Sequence, residues 1–222
     1  KQILSNDAAF RLHCLNRDNA NLSLLKYSGF QGFLVTGQHS GTHWIKWMLS
    51  HAMAHHYNVP PPKYFNNPSS NDIIGHPKHA RMHPQLPRIA SSHAIPPTPM
   101  QWAWVRRWRK LPPYALVVRD MRDVLVSNYE KWKHEYKVSF AEYIEGDPWS
   151  QKYVTDVWNY TCFLNRWGEV ISRCAPGEVA VLKYEDVKKD PAAALQKISA
   201  QFRLPLGAES FAAGAAAVLD HD

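Results

Sequence analysis

Short apolar runs followed by a helical pattern recur along this chain of 222 residues. The first run is residues 33–35 (FLV), followed by a turn of small and polar residues, 36–42 (TGQHSGT). Beyond the turn, positions on one face recur at helical spacing: Ile45, Leu49, Ala52 and His56. This order predicts a strand, a loop and a helix whose N-terminus lies over the loop.

The same order returns in the second half of the chain. Residues 114–118 (YALVV) form an apolar run typical of a buried strand, followed by the polar residues 119–123. A helical pattern comes next: Leu125, Tyr129, Trp132 and Tyr136. Residues 88–93 (RIASSH) and 179–184 (VAVLKY) predict two further strands.

Two more helices are predicted beside the last strand. One carries the longest amphipathic stripe of the chain, which is typical of a helix that covers a sheet: Tyr153, Val157, Tyr160, Leu164, Trp167 and Ile171. The other is expected to start at Pro191, because Asp190 is a good N-cap and proline is favoured at the first helical position.

The alternation of strands and helices predicts an α/β fold. We expect one domain over residues 1–222, in three layers, with a mostly parallel central sheet, helices on both faces and a P-loop-like phosphate-binding turn. Ligands of such sheets bind beyond the carboxyl ends of the strands. Residues 58–88 follow neither period and are rich in proline, asparagine and histidine. They are expected to form a long loop near the site of a second substrate.

Net charge, cysteine content and the length of the apolar runs indicate the kind of partner and the cellular compartment. The formal net charge of +7 favours an anionic partner: nucleic acid, an acidic membrane surface or a small polyphosphorylated ligand. The three cysteines are odd in number and widely spaced, which favours free thiols in a reducing compartment. Because no apolar run approaches the roughly 18 residues of a membrane span, we expect no membrane insertion and a cytoplasmic location.

The first turn and the two strands that follow it carry the candidate chemistry. A glycine-containing turn that enters a helix directs backbone N–H groups at one point and predicts a phosphate site, although an ordinary strand–helix turn would look similar. Arg119 and Ser127 suit a second phosphate, unless Arg119 forms only a surface ion pair with Asp123. His93 ends a strand at the same edge, where it is either a proton acceptor or a structural residue.

Four segments in this order resemble the PAPS-dependent sulfotransferases: residues 38–44 (QHSGTHW), 91–96 (SSHAIP), 118–127 (VRDMRDVLVS) and 182–186 (LKYED). The family has PKSGTTW at the first, THLP around its base at the second and RNPxDxxxS at the third. The resemblance implies sulfuryl transfer from PAPS, 3′-phosphoadenosine 5′-phosphosulfate, without a metal. The acceptor would be a hydroxyl of a small molecule, a glycan or a lipid, and adenosine 3′,5′-bisphosphate would be released.

The resemblance also implies roles for individual residues. His93 would be the catalytic base, and Arg119 and Ser127 would hold the 3′ phosphate. The backbone of residues 39–43 would hold the 5′ phosphate, and His39 would contribute to catalysis. The other residues expected to contact the nucleotide include the stacking Trp44 and a tyrosine at the adenine edge: Ser40, Gly41, Thr42, His43, Trp44 and Tyr184.

Three features depart from the family pattern. His39 replaces the loop lysine, and Ser91 replaces a second lysine two positions before the base. Two positive charges at the leaving group are therefore lost, for which a protonated His39 or Arg88 is expected to substitute. The family's basic RKGxxG loop has no counterpart after Phe202.

Other functions remain open at this point. The missing lysines favour a non-catalytic nucleotide binder as the main alternative, and a P-loop-like kinase would need a loop lysine and a magnesium carboxylate. The basic run 106–110 (RRWRK) is interpreted as a solvated helix face or as the rim of the anion site, so no nucleic-acid partner is expected. His76, His79 and His83 are interpreted as surface histidines, with no metal site.

Overall fold

Four strands form one parallel sheet. The structure is a computed structural model that describes residues 27–75, 82–149 and 151–219. The strands are β1 Gly32–Thr36, β2 Ile89–Ser92, β3 Tyr114–Val118 and β4 Val179–Lys183. Their order across the sheet is β2-β1-β3-β4, and all three pairings are parallel. The predicted α/β fold with a parallel sheet is confirmed.

Helices connect and cover the strands. In chain order they are α1 Thr42–His56, α2 Asn67–Ile74, α3 Ala103–Trp108, α4 Met121–Tyr136, α5 Phe140–Glu145, α6 Val157–Ile171, α7 Tyr184–Lys189, α8 Pro191–Phe202 and α9 Ala208–Leu219. A short 3₁₀ helix, Thr98–Gln101, precedes α3. The predicted start of α8 is confirmed, because the Asp190 side chain accepts a hydrogen bond from the N–H of Ala193.

The alternation of side chains along the strands creates two cores. Leu34 of β1 and Val117 of β3 pack with α1, α8 and α9 on one face of the sheet. Phe33 and Leu116 point to the other face and pack with α6. Because successive side chains of a strand point in opposite directions, the central strands β1 and β3 bury side chains on both faces and give the three layers that the sequence predicted.

Several elements differ from the sequence predictions. Helix α6 begins at Val157, not at Tyr153, because the Asp156 side chain accepts a hydrogen bond from the N–H of Asn159 and caps the helix. Strand β4 ends at Lys183, and Tyr184 begins α7. The segment 58–88, expected to be one long loop, contains α2.

Helix α9 packs closely along α1. A Cβ atom added at Gly214 would lie 2.5 Å from the carbonyl oxygen of Met48, so the two helices approach at a distance that suits glycine. The indole of Trp47 donates a hydrogen bond of 2.9 Å to the carbonyl of Ala217. The alanine-rich segment after Phe202, which carries no counterpart of the family's basic loop, is therefore a packed helix.

Of the residues that the structure describes, no helix combines the length and apolar character needed to cross a bilayer.

Candidate active site

The loop after β1 lies at the switch point of the sheet. The chain leaves β1 towards β2 on one side and leaves β3 towards β4 on the other, which opens a crevice between the carboxyl ends of β1 and β3. Residues 37–41 follow β1 in this crevice, and the N–H of Gly37 donates to the carbonyl of Val117. The loop predicted to bind phosphate therefore lies where this class of fold binds its ligands.

The loop has the backbone geometry of an anion site. His39 and Gly41 have positive φ angles of 56° and 78°. A Cβ atom at Gly41 would lie 2.2 Å from the Tyr184 ring, so this turn requires glycine. No side chain caps α1, and no acidic residue lies in its first turn. The first N–H groups of α1 are therefore available to an anion, which the positive end of the helix dipole attracts.

Arg119 joins the two halves of the crevice. Its Nη1 donates a hydrogen bond of 2.9 Å to the carbonyl of His39, and its guanidinium carbon lies 4.6 Å from the centroid of the Tyr184 ring. The expected contact with Asp123 is present but loose, at 3.8 Å. Nε of Arg119 is buried and has no hydrogen-bond partner among the described residues. This donor makes the side chain suited to a ligand as well as to the loop.

His39 and Ser127 meet in the same crevice. Nδ1 of His39 lies 3.3 Å from Oγ of Ser127 on α4. Burial, followed by the charge of Lys131, lowers the pKa of His39 to about 4. His39 is therefore neutral at pH 7 in the protein without nucleotide, and it does not replace the charge of the family's lysine in that state.

His93 has a fixed ring orientation. The hydroxyl of Ser92 accepts a hydrogen bond from the N–H of Ala94 and turns the chain at the end of β2. Nδ1 of His93 lies 3.0 Å from the Thr36 carbonyl and 3.1 Å from the Thr36 hydroxyl, which in turn lies 2.6 Å from the hydroxyl of Thr42. Because a carbonyl only accepts, Nδ1 carries the hydrogen and Nε2 is left to accept a proton. Part of the ring is exposed, but the loss of water around the rest of it lowers the pKa of His93 and favours this neutral form.

One cavity of about 300 Å³ brings these groups together. Its lining includes most of the predicted site residues: Gln38, His39, Gly41, Thr42, His43, Trp44, Phe65, His93, Arg119, Ser127, Lys131 and Tyr184. Trp44 is mostly buried in the wall, and its indole N–H has no partner in the described part of the chain. None of the described lining residues is acidic, so the cavity favours an anionic ligand.

The family model for the sulfotransferase domain matches residues 31–213. The chain belongs to the sulfotransferase family. This confirms the predicted family and makes the protein an enzyme of that class. Among proteins with curated sequences, none matches the chain significantly.

Solved structures similar to this sulfotransferase share its fold at low sequence identity. Mouse sulfotransferase SULT7A1 complexed with PAP is 17% identical, with a TM-score of 0.53 over 91% of this chain and 70% of that one. A sulfotransferase from Alicyclobacillus acidocaldarius is 14% identical, with a TM-score of 0.51 over 82% and 83%. Retinol dehydratase in complex with androsterone and inactive cofactor PAP is 14% identical, with a TM-score of 0.54 over 90% and 68%.

Two lysines of this sulfotransferase were missed by the sequence analysis. Lys46 is buried in α1, and its Nζ donates a hydrogen bond of 2.6 Å to Oδ1 of Asn67, whose Nδ2 lies 3.0 Å from Nε2 of His43. Burial lowers the pKa of Lys46 to about 8. This chain of contacts fixes the start of α2 beside the phosphate-binding turn, a proximity that sequence patterns do not reveal.

Lys131 is the second missed residue. It lies one helical turn beyond Ser127 on α4 and lines the cavity, with its ammonium 5.3 Å from the Trp132 ring centroid. Its charge contributes to lowering the pKa of each of the three cavity histidines. The spacing of four residues from Ser127 was the available signal, because it places both side chains on one helix face.

The sequence interpretation of Arg88 was wrong. Arg88 lies before β2, donates from Nε to the carbonyl of Gly75 and stacks over Phe30, so it does not reach the cavity. Of the two interpretations of the run 106–110, the rim of the anion site is excluded because none of its residues lines that cavity, whereas residues 107–110 are exposed, as expected of a solvated helix face. His83 is described, whereas His76 and His79 lie outside the described residues. Within the described ranges, no three metal-ligating side chains cluster.

Proposed function

We propose that this sulfotransferase transfers a sulfuryl group from PAPS to a hydroxyl acceptor, with His93 as the general base. The observation that carries the proposal is the contact of His93 Nδ1 with the Thr36 carbonyl, which leaves Nε2 to accept a proton. His93 lines the same cavity as the phosphate-binding turn. A base and an anion site within one cavity are what in-line transfer to an alcohol requires.

The residues of the cavity suit the donor nucleotide. The first turn of α1 would bind the 5′ phosphate, with Thr42 adding a hydroxyl, and Arg119 and Ser127 would bind the 3′ phosphate. Trp44 and Tyr184 offer rings to the adenine. The unpartnered N–H groups of Arg119 and Trp44 support the fit, because buried donors normally have a partner. Bound PAPS supplies an activated sulfuryl group with a bisphosphate leaving group.

The reaction balances with this set of groups. The acceptor oxygen forms a bond to sulfur while the bond from sulfur to the bridging phosphate oxygen breaks, and Nε2 of His93 takes the hydroxyl proton. The bridging oxygen leaves with adenosine 3′,5′-bisphosphate and gains negative charge. Charge stabilisation at this oxygen is the task of the family's lysines.

Lys131 and Arg119 are the groups that we expect to supply this stabilisation. Both line the cavity, whereas the lowered pKa of His39 leaves it neutral before nucleotide binds. The neutral imidazole of His39 would contact the phosphosulfate as a hydrogen-bonding group. Because a bound anion raises the pKa of a neighbouring histidine, a positive charge supplied by His39 would depend on pH, whereas the charges of Lys131 and Arg119 would not change near neutral pH.

The acceptor is proposed to be a small hydroxyl compound with an apolar or ring-bearing body. Phe65 lines the cavity and precedes α2, in the segment predicted to lie near the acceptor. Androsterone, bound by one structural neighbour, is a compound of this kind. Glycan and lipid hydroxyls are the alternatives.

In the described part of the chain Cys162 and Cys174 form no disulfide, which fits the predicted cytoplasmic compartment.

A transfer assay tests the proposal. The protein is incubated with ³⁵S-labelled PAPS and pools of phenols, sterols, sugars and hydroxylated lipids, and labelled product is measured beside His93→Gln. Label transfer by the wild type and its loss in the variant are expected. Binding of adenosine 3′,5′-bisphosphate without transfer to any pool would instead support the non-catalytic alternative.

A further inference from the structure

Helix α3 and its flanking residues form a surface that the proposed chemistry does not use. Val105 and Arg106 fix the inner side of this helix to the body of the protein. Arg106 donates hydrogen bonds of 2.6 Å to the carbonyl of Met100 and 2.8 Å to that of Arg173, and it pairs with Glu178 at 3.1 Å. These contacts hold α3 in one orientation, so its outer side is a defined surface.

Three tryptophans protrude from the outer side. Trp102, Trp104 and Trp108 are 44%, 64% and 72% exposed, although tryptophan is normally a largely buried residue. The rings of Trp102 and Trp104 stack with centroids 5.9 Å apart. Trp104 and Trp108 are one helical turn apart and therefore lie on the same side of α3.

Basic residues alternate with these tryptophans. Arg107, Arg109 and Lys110 are all exposed, and the guanidinium of Arg109 lies 5.6 Å from the centroid of the Trp108 ring. Residues 102–110 include no aspartate or glutamate. We call this surface the Trp–Arg face and define it by six residues: Trp102, Trp104, Arg107, Trp108, Arg109 and Lys110.

We propose that the Trp–Arg face docks on the surface of a bilayer that contains anionic phospholipids. Indole rings favour the headgroup region, where their apolar body and their N–H are both accommodated, and arginine and lysine beside them pair with lipid phosphates. Segments that lie at a membrane interface combine tryptophan rings, which enter the headgroup region, with lysine and arginine that attract anionic lipids, and the exposed residues of α3 and its flanks have this composition.

Single-stranded nucleic acid is the other ligand that tryptophan and arginine recognise. Its binding proteins present aromatic rings along a charged groove, and each ring stacks on a base. Trp102 and Trp104 instead stack on each other, and Trp104 and Trp108 project from a short helix with more than half of their surface exposed. The geometry therefore favours an interface over a strand of bases.

The location of the face is compatible with catalysis. Lys110 shares a cavity with Tyr114, the first residue of β3, and with Gly177, which precedes β4. The C-terminal end of α3 thus lies at the amino edge of the sheet, whereas His93 and Arg119 follow strands at the carboxyl edge. When this end of α3 contacts a membrane, the active-site cavity at the opposite edge of the sheet is therefore not covered by that contact.

Co-sedimentation of the 222-residue protein with vesicles tests the proposal. The vesicles are phosphatidylcholine alone or phosphatidylcholine with phosphatidylserine. Trp104→Ala is compared with Trp158→Ala, which removes a half-exposed tryptophan elsewhere. The double variant Arg107→Glu, Arg109→Glu is compared with Lys133→Glu, Lys189→Glu, which changes the net charge equally. Adenosine 3′,5′-bisphosphate binding, circular dichroism and thermal unfolding show that each variant is folded.

We expect binding to the phosphatidylserine vesicles and much weaker binding to phosphatidylcholine. The arginine reversals should weaken binding by about tenfold or more, because each basic residue near an anionic surface contributes about 1 kcal/mol. Trp104→Ala should also weaken it, and both controls should bind like the wild type. Equal losses in the matched controls, no binding to anionic vesicles, or tight binding of a single-stranded oligonucleotide that is lost in Trp104→Ala would each overturn the proposal.

Discussion

Arg119 donates a hydrogen bond of 2.9 Å to the carbonyl of His39, and this contact joins the end of β3 to the turn after β1. The side chain expected to hold the 3′ phosphate therefore also supports the turn expected to hold the 5′ phosphate. Two phosphate sites that share one arginine should respond together when that arginine is changed.

Arg119→Ala should weaken binding of adenosine 3′,5′-bisphosphate by roughly 10- to 100-fold, because hydrogen bonds from a charged group contribute about 1.5–3 kcal/mol. Isothermal titration calorimetry measures the effect. Arg122→Ala is the matched control, since Arg122 is exposed and pairs with Asp120 outside the cavity. Equal affinity of the wild type for adenosine 5′-monophosphate and the bisphosphate would contradict the 3′-phosphate site.

His93→Gln should leave the affinity for adenosine 3′,5′-bisphosphate nearly unchanged and lower kcat by about 10²–10⁴-fold, the usual contribution of a general base. Thr36→Val, which removes the hydroxyl contact but keeps the backbone carbonyl, should have a much smaller effect on kcat, because Nδ1 retains its acceptor. Single-turnover kinetics with a saturating donor separate nucleotide binding from the chemical step. Near-wild-type turnover in His93→Gln would place the base elsewhere.

Much of this arrangement was predictable from sequence because a parallel sheet collects its functional residues at one edge. The turn after β1, His93 after β2 and Arg119 after β3 each follow an apolar run, and parallel strands bring their carboxyl ends together. The pattern could not give exact boundaries. The apolar stripe extends back to Tyr153 in the sequence, but the Asp156 side chain caps the helix, so α6 begins four residues later, at Val157.

Sequence patterns of this kind do not predict contacts between distant segments of the chain. In the sequence, Lys46 resembles an ordinary surface lysine of a helix. It can be buried because its ammonium group donates to Asn67 of α2, 21 residues away. Helix α2 itself was hidden by its polar composition, even though Asn66 caps it and proline lies in its first turn. Such elements are stabilised by tertiary contacts more than by their own periodicity.

Lys131→Gln should lower kcat/KM about fivefold, because a charge near the reacting group contributes about 1 kcal/mol in a water-accessible cavity. It should also raise the pKa of His39, since Lys131 is the largest charge contribution to lowering it. NMR titration of the histidines gives that readout without turnover. Lys133→Gln, which removes a lysine paired with Glu130 on the same helix, is the control. Equal effects in both variants would assign the loss to net charge.

Folding stability without nucleotide should fall as the pH is lowered through the range from about 6.5 to about 4. The pKa of His39 is near 4 in the folded protein and about 6.5 in the unfolded chain, so the unfolded chain binds more protons in this range. His39→Asn, which tolerates the positive φ, should lose less stability between pH 7 and pH 5 than the wild type. Urea unfolding at the two pH values measures the difference, and an unchanged pH dependence would contradict the lowered pKa.

Substitutions at His39 test whether this side chain is charged during turnover. His39 occupies the position of the family's loop lysine, yet its pKa of about 4 leaves it neutral above pH 6 before nucleotide binds. We therefore expect kcat/KM, which reports the free enzyme, to rise with pH as His93 loses its proton below pH 6.5 and then to stay level. His39→Lys should raise the level region, because it adds a positive charge near the leaving oxygen. His39→Asn should lower it only modestly, because the neutral side chain contributes hydrogen bonding alone. An alkaline fall in kcat that is present in the wild type and absent in His39→Lys would show instead that bound PAPS protonates His39, and that this histidine supplies the charge directly.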